Sequence, residues 1–286
     1  MHVSVMPAET LELLAVKPDG VYLDCTTGLG GHTRLIAERL ATGSVIANDR
    51  DARALAMARE NAAAVADRIC FHYGGFGSLG EAVTQAGFSK VDGLLADLGV
   101  SMMQLKEPSR GFSFQQDGPL DMRMDPTRGE TADDLVNHSD EKQLADLIYQ
   151  FGEERRARRI ARAIVRARPI RSTLHLADVV SRAVPRTGRL HPATKTFQAL
   201  RMVVNDEAGE LRRLLETGPE LVKSGGRMVV ISFMSIDDRA VKEKFRALGR
   251  EGRAKILTKH PLTPGDAESA ANPASRSARL RAIEMK

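Results

Sequence analysis

The feature that most constrains this chain is Val21-Tyr22-Leu23-Asp24, a short apolar run closed by an acid and followed closely by Gly28-Leu29-Gly30-Gly31-His32. Thr33 to Leu40 then carries apolar residues at helical spacing. A buried strand that runs through a glycine-rich turn into a helix opens a parallel α/β sheet, and such sheets bind ligands beyond the carboxyl ends of their strands. Glycine in the turn lets backbone approach a ligand with no side chain between them. Val45-Ile46-Ala47 reads as a second buried strand ending in Asn48-Asp49, Arg68–Tyr73 as a third, and Val91–Leu98 as a fourth that ends at another acid, Asp97. The alanine-rich stretch 52–66 is a strong helix former. This alternation predicts a parallel sheet with right-handed crossovers.

The alternation then stops. The next unambiguous strand, Arg227–Phe233, comes only after Lys223-Ser224-Gly225-Gly226. Residues 106–200 are helical in pattern (140–150, 153–168 and 174–183), with Gly and Pro breaks. The expected organisation is therefore a core of 1–105 and 201–286 with a helical domain, 106–200, inserted into it. A helix over 237–248 and late strands near 254–258 and 277–283 complete the core.

The ends of the strands supply a ligand site. Asp49, closing the second strand, can accept hydrogen bonds from both hydroxyls of a ribose, each charge-assisted bond contributing about 1.5–3 kcal/mol. A dinucleotide fingerprint wants a small residue where this chain has Thr33, which favours an adenosyl ligand over a nicotinamide one. Asp24 can pair with the amino group of a methionine moiety, making S-adenosylmethionine the expected cofactor; a helix-capping acid is the plainer alternative.

Charge points to the partner. Between Arg155 and Arg189 there are eleven arginines, no lysine and one acid, Asp178, in a chain of net charge +5. A solvated helix face is the ordinary explanation of a basic run, but this excess of one sign exceeds what internal ion pairing can absorb and implies a polyanion. Few large apolar residues accompany it, so nucleic acid is favoured over a lipid surface. No run approaches the roughly 18 apolar residues of a membrane helix, and no secretory leader is visible, so a cytoplasmic location is expected. Cys25 and Cys70 stand alone, which leaves no metal-ligand spacing.

With these residues laid out, the chain resembles the ribosomal small-subunit methyltransferase H family, enzymes that methylate N4 of a cytidine in 16S ribosomal RNA. The resemblance runs nearly end to end. It is carried by Asp24…Gly28-Leu29-Gly30-Gly31-His32, Asp49-Arg50-Asp51, Asp97-Leu98-Gly99-Val100-Ser101 with Gln104-Leu105, and Arg110-Gly111-Phe112-Ser113-Phe114…Asp117-Gly118-Pro119-Leu120-Asp121-Met122-Arg123-Met124-Asp125. Gly152-Glu153-Glu154-Arg155, His191-Pro192-Ala193-Thr194, Phe197-Gln198-Ala199-Leu200-Arg201, Asn205 and Asn272-Pro273…Arg276-Ser277 extend it. The resemblance implies a class I S-adenosylmethionine-dependent methyltransferase core, Rossmann-like and mostly parallel with a C-terminal antiparallel hairpin, and a helical substrate-recognition insert. It implies cofactor contacts at Gly30, Gly31, His32, Asp49, Phe76, Asp97 and Gln104, joined by Asp24 and Gly28 from the loop itself. It also implies 16S ribosomal RNA as partner and allows a homodimer.

The chain departs from the family pattern in places. Met102-Met103 and Lys106 stand where Ser-Pro and Asp are usual, Met234 where a histidine follows Ser-Phe, and Ser4 where a proline is usual. Met234 replaces a polar ring expected beside the reaction centre.

Methyl transfer from a sulfonium needs position more than acid–base power. The amine of cytosine is a poor nucleophile, and an acceptor beside it would localise its lone pair. Asp97 is the first candidate, with Ser101 or the Asn205 amide assisting; Asp97 could instead only orient the cofactor, and His32 reads as a loop-shaping residue. Phe112 and Phe114 could stack on a flipped base or simply pack within the insert. Arg155, Arg158, Arg159 and Arg162 share helical spacing and are candidate phosphate contacts, with Arg123 a further substrate-binding candidate. A DNA amino-methyltransferase would carry a Pro-Pro-aromatic tetrad, which Asp97-Leu98-Gly99-Val100 is not. A protein of the same fold that binds cofactor and RNA without turnover is the alternative from a different class.

Overall fold

β1 (Val21–Asp24) is buried at every position and lies inside a seven-stranded sheet of order β3-β2-β1-β4-β5-β7-β6. The computed structural model describes residues 4–186, 188 and 190–286. β1 pairs in parallel with β2 (Ser44–Asp49) on one side and β4 (Val91–Asp97) on the other. β3 (Ile69–Tyr73) lies outside β2, and β5 (Val222–Ser232) continues the parallel run beside β4. β6 (Ala254–Ile256) and β7 (Arg279–Met285) form the antiparallel end of the sheet, with β7 between β5 and β6. Strand order reverses between β1 and β4, which makes the carboxyl ends of those two strands the switch point of the sheet.

Neighbouring residues along each strand bury opposite faces. Leu23, Ile46 and Leu94 pack on one face with Leu214 and Phe245, while Tyr22, Val45 and Leu95 pack on the other with Ile36 and Ile231. Both faces are covered, so the strands read as continuous apolar runs rather than as alternating ones. Helices α1 (Pro7–Leu14), α2 (Gly31–Ala37), α3 (Ala52–Asn61) and α4 (Leu79–Gln85) belong to this unit, as do two long helices described below. The Asp51 carboxylate caps α3 by accepting the N–H groups of Arg53 and Ala54. The helix expected over 52–66 ends early: Val65 leaves helical geometry at φ −131° and the chain finishes in tight turns that bury this side chain.

β5 starts earlier than expected because the Gly225-Gly226 segment stays in the sheet. Val91 pairs with Val222 but Gly93 with Arg227, so the register shifts there, and Gly225 takes φ +77°, a conformation glycine adopts without strain.

Val100–Ala208 forms a second compact unit. Its helices are α5 (Met102–Lys106), α6 (Ala132–His138), α7 (Glu141–Gly152), α8 (Ala157–Ala167), α9 (Thr173–Ala183) and α10 (Thr194–Val204). They share their own core, centred on Leu144, Ile148, Ile160, Ile164, Leu176 and Val180. The unit begins before residue 106 and ends after residue 200 because α5 with its cap and the whole of α10 belong to it. Reciprocal side-chain caps start α6 (Thr131 with Asp134) and α7 (Asp140 with Gln143). Glu153 ends α7 in the left-handed region at φ 48°, so α8 begins at Ala157 rather than at 153. α11 (Glu207–Leu221) and α12 (Ser235–Arg250) flank β5 in sequence, and α13 (Asp266–Ala271) precedes β7. No helix among the described residues is long and apolar enough to cross a membrane.

Candidate active site

Three acids close the carboxyl ends of β1, β2 and β4, and the chain turns so that the loop after β1 reaches two of them. Gly28, at φ 52°, donates its N–H to Asp49 Oδ2 at 2.7 Å, while Asp49 Oδ1 accepts the N–H of Asp51 at 2.9 Å. Each oxygen of a carboxylate has a second lone pair, so Asp49 keeps acceptor capacity beyond its two backbone bonds. Burial raises its pKa above the ordinary carboxylate value, the two amide bonds opposing that shift. Gly30 sits at φ 85° as the cap of α2, and a Cβ there would lie 3.1 Å from Ala58 Cβ. Gly31 and His32 open α2, and the backbone N–H of Thr33, next in the turn, is given to Asp24.

Asp24 is fully buried. The Thr33 hydroxyl donates to its Oδ2 at 2.6 Å and the Thr26 N–H to its Oδ1 at 3.1 Å. Burial pushes its pKa up to about 6 against the restraint of those bonds. Thr33, which argued against a dinucleotide, thus has a positive role that its position in the motif did not reveal.

Asp97 closes β4. Its backbone N–H donates to Thr26 Oγ1 at 2.6 Å. Its side chain is 22% exposed, with Oδ2 lying 3.8 Å from His32 Nε2, but Oδ1 is buried with no hydrogen-bond partner. Burial, then the charge of Asp24, pushes the Asp97 carboxyl up to about 8. An acceptor kept out of water and left unpartnered at the switch point is costly to fold around, and such groups cluster where chemistry needs them. Asp24, Gly28, Gly30, Gly31, His32, Asp49 and Asp97 thus lie together at the carboxyl ends of β1, β2 and β4 and in the loop after β1. Ile231 pairs with Asp97 in the β4–β5 register, and Met234 follows as the cap residue of α12, offering no side-chain hydrogen bond to the helix.

Phe76 begins a short helical turn after β3, partly buried against the core. The sequence did not announce what holds this turn. Buried Asn48 donates from Nδ2 to the carbonyls of Cys25 (3.2 Å) and Gly74 (3.1 Å), and its Oδ1 pairs with His72 Nδ1 at 2.8 Å, tying the ends of β1, β2 and β3 together. These are long-range polar contacts, which carry no periodic signal.

In the helical unit the expected residues separate into different roles. Ser101 and Gln104 cap α5 reciprocally: Gln104 Oε1 accepts the Ser101 N–H at 2.9 Å and Ser101 Oγ accepts the Gln104 N–H at 3.3 Å. Gln104 is 4% exposed, so within this unit it is a capping residue. Asn205 corrects an expectation. Its Oδ1 accepts the Met124 N–H at 2.7 Å and its Nδ2 donates to the Met122 and Arg201 carbonyls, so the amide holds the 122–124 segment rather than facing out as a free donor. Arg123 is likewise engaged, forked onto Asp121 at 2.8 and 2.9 Å. Phe112 is buried in the core of this unit and offers no open face for stacking. Phe114 remains partly exposed, its ring 4.7 Å from that of exposed His191 and edge-on to Phe197.

The arginines divide too. Arg168 donates to the carbonyls of Val136 and Ser139 at the end of α6, a structural task. Arg158, Arg159, Arg162 and Arg166 lie exposed on α8 opposite buried Ala157, Ile160, Ala161 and Ile164. Arg162 pairs with Glu141 at 3.3 Å. Arg155 is exposed in the turn before α8, not on the helix itself. Arg189, which ends the basic run, lies outside the described residues.

Comparison with known proteins bears on this geometry. A profile described as the MraW methylase family matches residues 1–286. A protein of Solibacter usitatus named ribosomal RNA small subunit methyltransferase H is 76% identical over 286 residues, covering all of both chains. Proteins of the same name from Koribacter versatilis and Acidobacterium capsulatum are each 50% identical and are covered over 94% and 98% of their lengths, against 100% of this chain.

Proposed function

The chain belongs to the MraW methylase family, and on that premise we propose that it transfers a methyl group from S-adenosylmethionine to the exocyclic N4 of a cytidine in 16S ribosomal RNA. The observation that carries the reading is Asp97 Oδ1, a buried acceptor without a partner at the end of β4. The loop's glycine backbone and the spare acceptor capacity of Asp49 fit an adenosyl ligand, Asp24 fits its amino group, and Phe76, after the next strand outward, fits the adenine end. When bound, S-adenosylmethionine supplies an electrophilic methyl on a sulfonium.

Asp97 acts on the nucleophile. By accepting a hydrogen bond from the amine it concentrates the nitrogen lone pair, and it takes the proton that the amine sheds when its bond to the methyl forms. A carboxyl lifted to about 8 is a stronger proton acceptor than an ordinary carboxylate once ionised. Ser101 retains a hydroxyl proton to donate and is the assisting group; His32 shapes the loop. Phe114 supplies a stacking face, and the exposed arginines of Arg155–Arg166 meet phosphates. Met234, in a position where the family usually has histidine, leaves Asp97 as the base at these strand ends.

Label from a tritiated methyl donor, offered with 30S subunits and with naked 16S RNA, tests the reading, with Asp97→Ala as the control. Incorporation at a cytidine N4 supports it; no incorporation in any RNA favours a protein that binds both ligands without turnover. A cytoplasmic location and a homodimer go with this reading, and light scattering in solution checks the second.

A further inference from the structure

The turn that carries Phe76 is seated on a charged pair from a helix outside the cofactor loops. Gly74, Gly75 and Gly77 surround Phe76. A Cβ at Gly75 would stand 2.8 Å from Glu210 Oε2, and one at Gly77 would stand 3.2 Å from Arg213 Cδ. Phe76 donates its backbone N–H to Glu210 Oε2 at 2.5 Å, and Arg213 grips the other oxygen of that carboxylate through Nη2 at 2.6 Å and Nε at 3.1 Å. The Glu210 side chain is 16% exposed. A carboxylate so withdrawn, with one oxygen given to a guanidinium and the other to a single amide, is a fixed post for that amide.

Sheet order says which part of the ligand this post serves. β2 carries Asp49 for the ribose and β3 is the next strand outward, so the turn after β3 borders the base of a nucleoside laid along the strand ends. Asn48 and Ser78 secure the turn at the Gly74 and Gly75 carbonyls. The Phe76 amide itself is held by Glu210. We infer that Glu210 is a positioning residue for the adenine end of the cofactor, acting through the Phe76 turn and braced by Arg213. The inference rests on the reading that Phe76 touches the cofactor.

The test measures binding of S-adenosylhomocysteine and of adenosine by calorimetry to wild type, Glu210→Gln, Glu210→Leu, Gly75→Ala and the Gly75→Ala/Glu210→Leu double variant. Gln keeps an oxygen for the Phe76 N–H but turns its NH2 toward the Arg213 guanidinium, so Glu210→Gln loses less than Glu210→Leu, which loses about tenfold or more for both ligands. Gly75 has an ordinary φ of −82°, so alanine there strains no backbone. It displaces the Glu210 carboxylate from the turn and reproduces the loss. Because the two changes break one interaction, the double variant falls no further than the worse single one. In turnover, Glu210→Leu raises KM for the methyl donor with kcat within about threefold. Circular dichroism and the melting temperature verify that each variant is folded. Adenosine bound by Glu210→Leu as by wild type, or losses that multiply in the double variant, overturns the assignment. Wild type that binds neither ligand overturns the cofactor reading and the assignment together.

Discussion

Asp97 Oδ2 stands 3.8 Å from His32 Nε2, while the other oxygen of the same carboxylate is buried without a partner. The two oxygens of the acid thus stand in different surroundings, Oδ2 near the His32 ring but beyond hydrogen-bond distance and Oδ1 buried without a partner. Asp97→Asn keeps the shape but presents one oxygen acceptor and one NH2 donor, and it cannot take a proton. The methylation rate under saturating cofactor should fall by about a hundred- to a thousandfold, with S-adenosylhomocysteine affinity changing by less than about tenfold. Single-turnover labelling together with calorimetry measures both. A large loss of affinity with an unchanged rate would make Asp97 a cofactor-orienting residue only.

The same carboxyl sets the pH profile. Burial and Asp24 push Asp97 up to about 8, so at neutral pH the free enzyme holds it mostly protonated and unable to accept the amine hydrogen. kcat/KM for RNA should therefore rise with pH to a plateau, with its midpoint near 8. A sulfonium near the carboxylate favours the ionised form, so the midpoint of kcat should lie below that of kcat/KM. Initial rates over pH 6–9.5 check the direction, and Asp97→Asn should flatten the profile.

Stability carries the opposite sign. Asp24 at about 6 and Asp97 at about 8 both bind protons more tightly when folded than at the unfolded value of 3.8. Between these limits the folded state holds protons that the unfolded state has released, so stability falls as pH rises from about 4 to about 8. Asp97→Asn removes its share of that fall. The variant should melt higher than wild type at pH 8.5, by an amount that shrinks toward pH 5. Thermal denaturation of the ligand-free protein at a series of pH values measures this.

The parts of this fold that were legible in the sequence are those with one simple cause. Fully buried parallel strands read as apolar runs, so β1, β2 and β4 and the acids that close them, Asp24, Asp49 and Asp97, could be placed from the chain alone. The silence of the strand rhythm after Leu98 likewise announced the helical unit. Boundaries failed where a single backbone angle decides them: Glu153 at φ 48° moved the start of α8, and Val65 shortened the helix after β2. Polar residues were harder. Nothing in the sequence separates an arginine that meets a partner from Arg110, which donates to the Arg123 and Met124 carbonyls, or from Arg168, which does the same at the end of α6. Asn48, Asn205 and Glu210 act across long sequence separations, and only three-dimensional placement reveals them.

Two glycines of the loop should respond differently to alanine. At Gly30 a Cβ would crowd Ala58, with φ 85° adding strain, whereas at Gly28 the nearest atom is a carbonyl oxygen at 3.9 Å and only φ 52° opposes the change. Gly28→Ala should cost about 1–2 kcal/mol. Gly30→Ala adds overpacking of about 1–3 kcal/mol to that strain and should also weaken S-adenosylhomocysteine binding, because relief of the clash moves the first turn of α2. Urea denaturation ranks the two, and equal costs would show that Ala58 yields freely.

The exposed arginines of α8 and of the turn before it give the last prediction. Arg155, Arg158 and Arg159 are exposed, and no ion pair is seen for them among the described residues, whereas Arg162 is partly neutralised by Glu141. Unpaired guanidinium groups on a face this crowded repel one another, a cost relieved when phosphates approach. Joint reversal of Arg155, Arg158 and Arg159 to Glu should therefore leave the melting temperature unchanged or slightly raised while sharply weakening RNA binding. If each arginine meets one phosphate of a single strand, the slope of log affinity against log salt should become shallower by about 2, at about 0.7 for each phosphate no longer neutralised. Cofactor binding serves as the control, since the reversed residues are not among the acids and glycines proposed to hold it. Filter binding of a 16S RNA fragment from 50 to 300 mM salt, beside calorimetry with S-adenosylhomocysteine, measures both quantities. An unchanged slope in a folded, cofactor-binding variant would remove α8 from the RNA surface and leave the basic run as a solvated face.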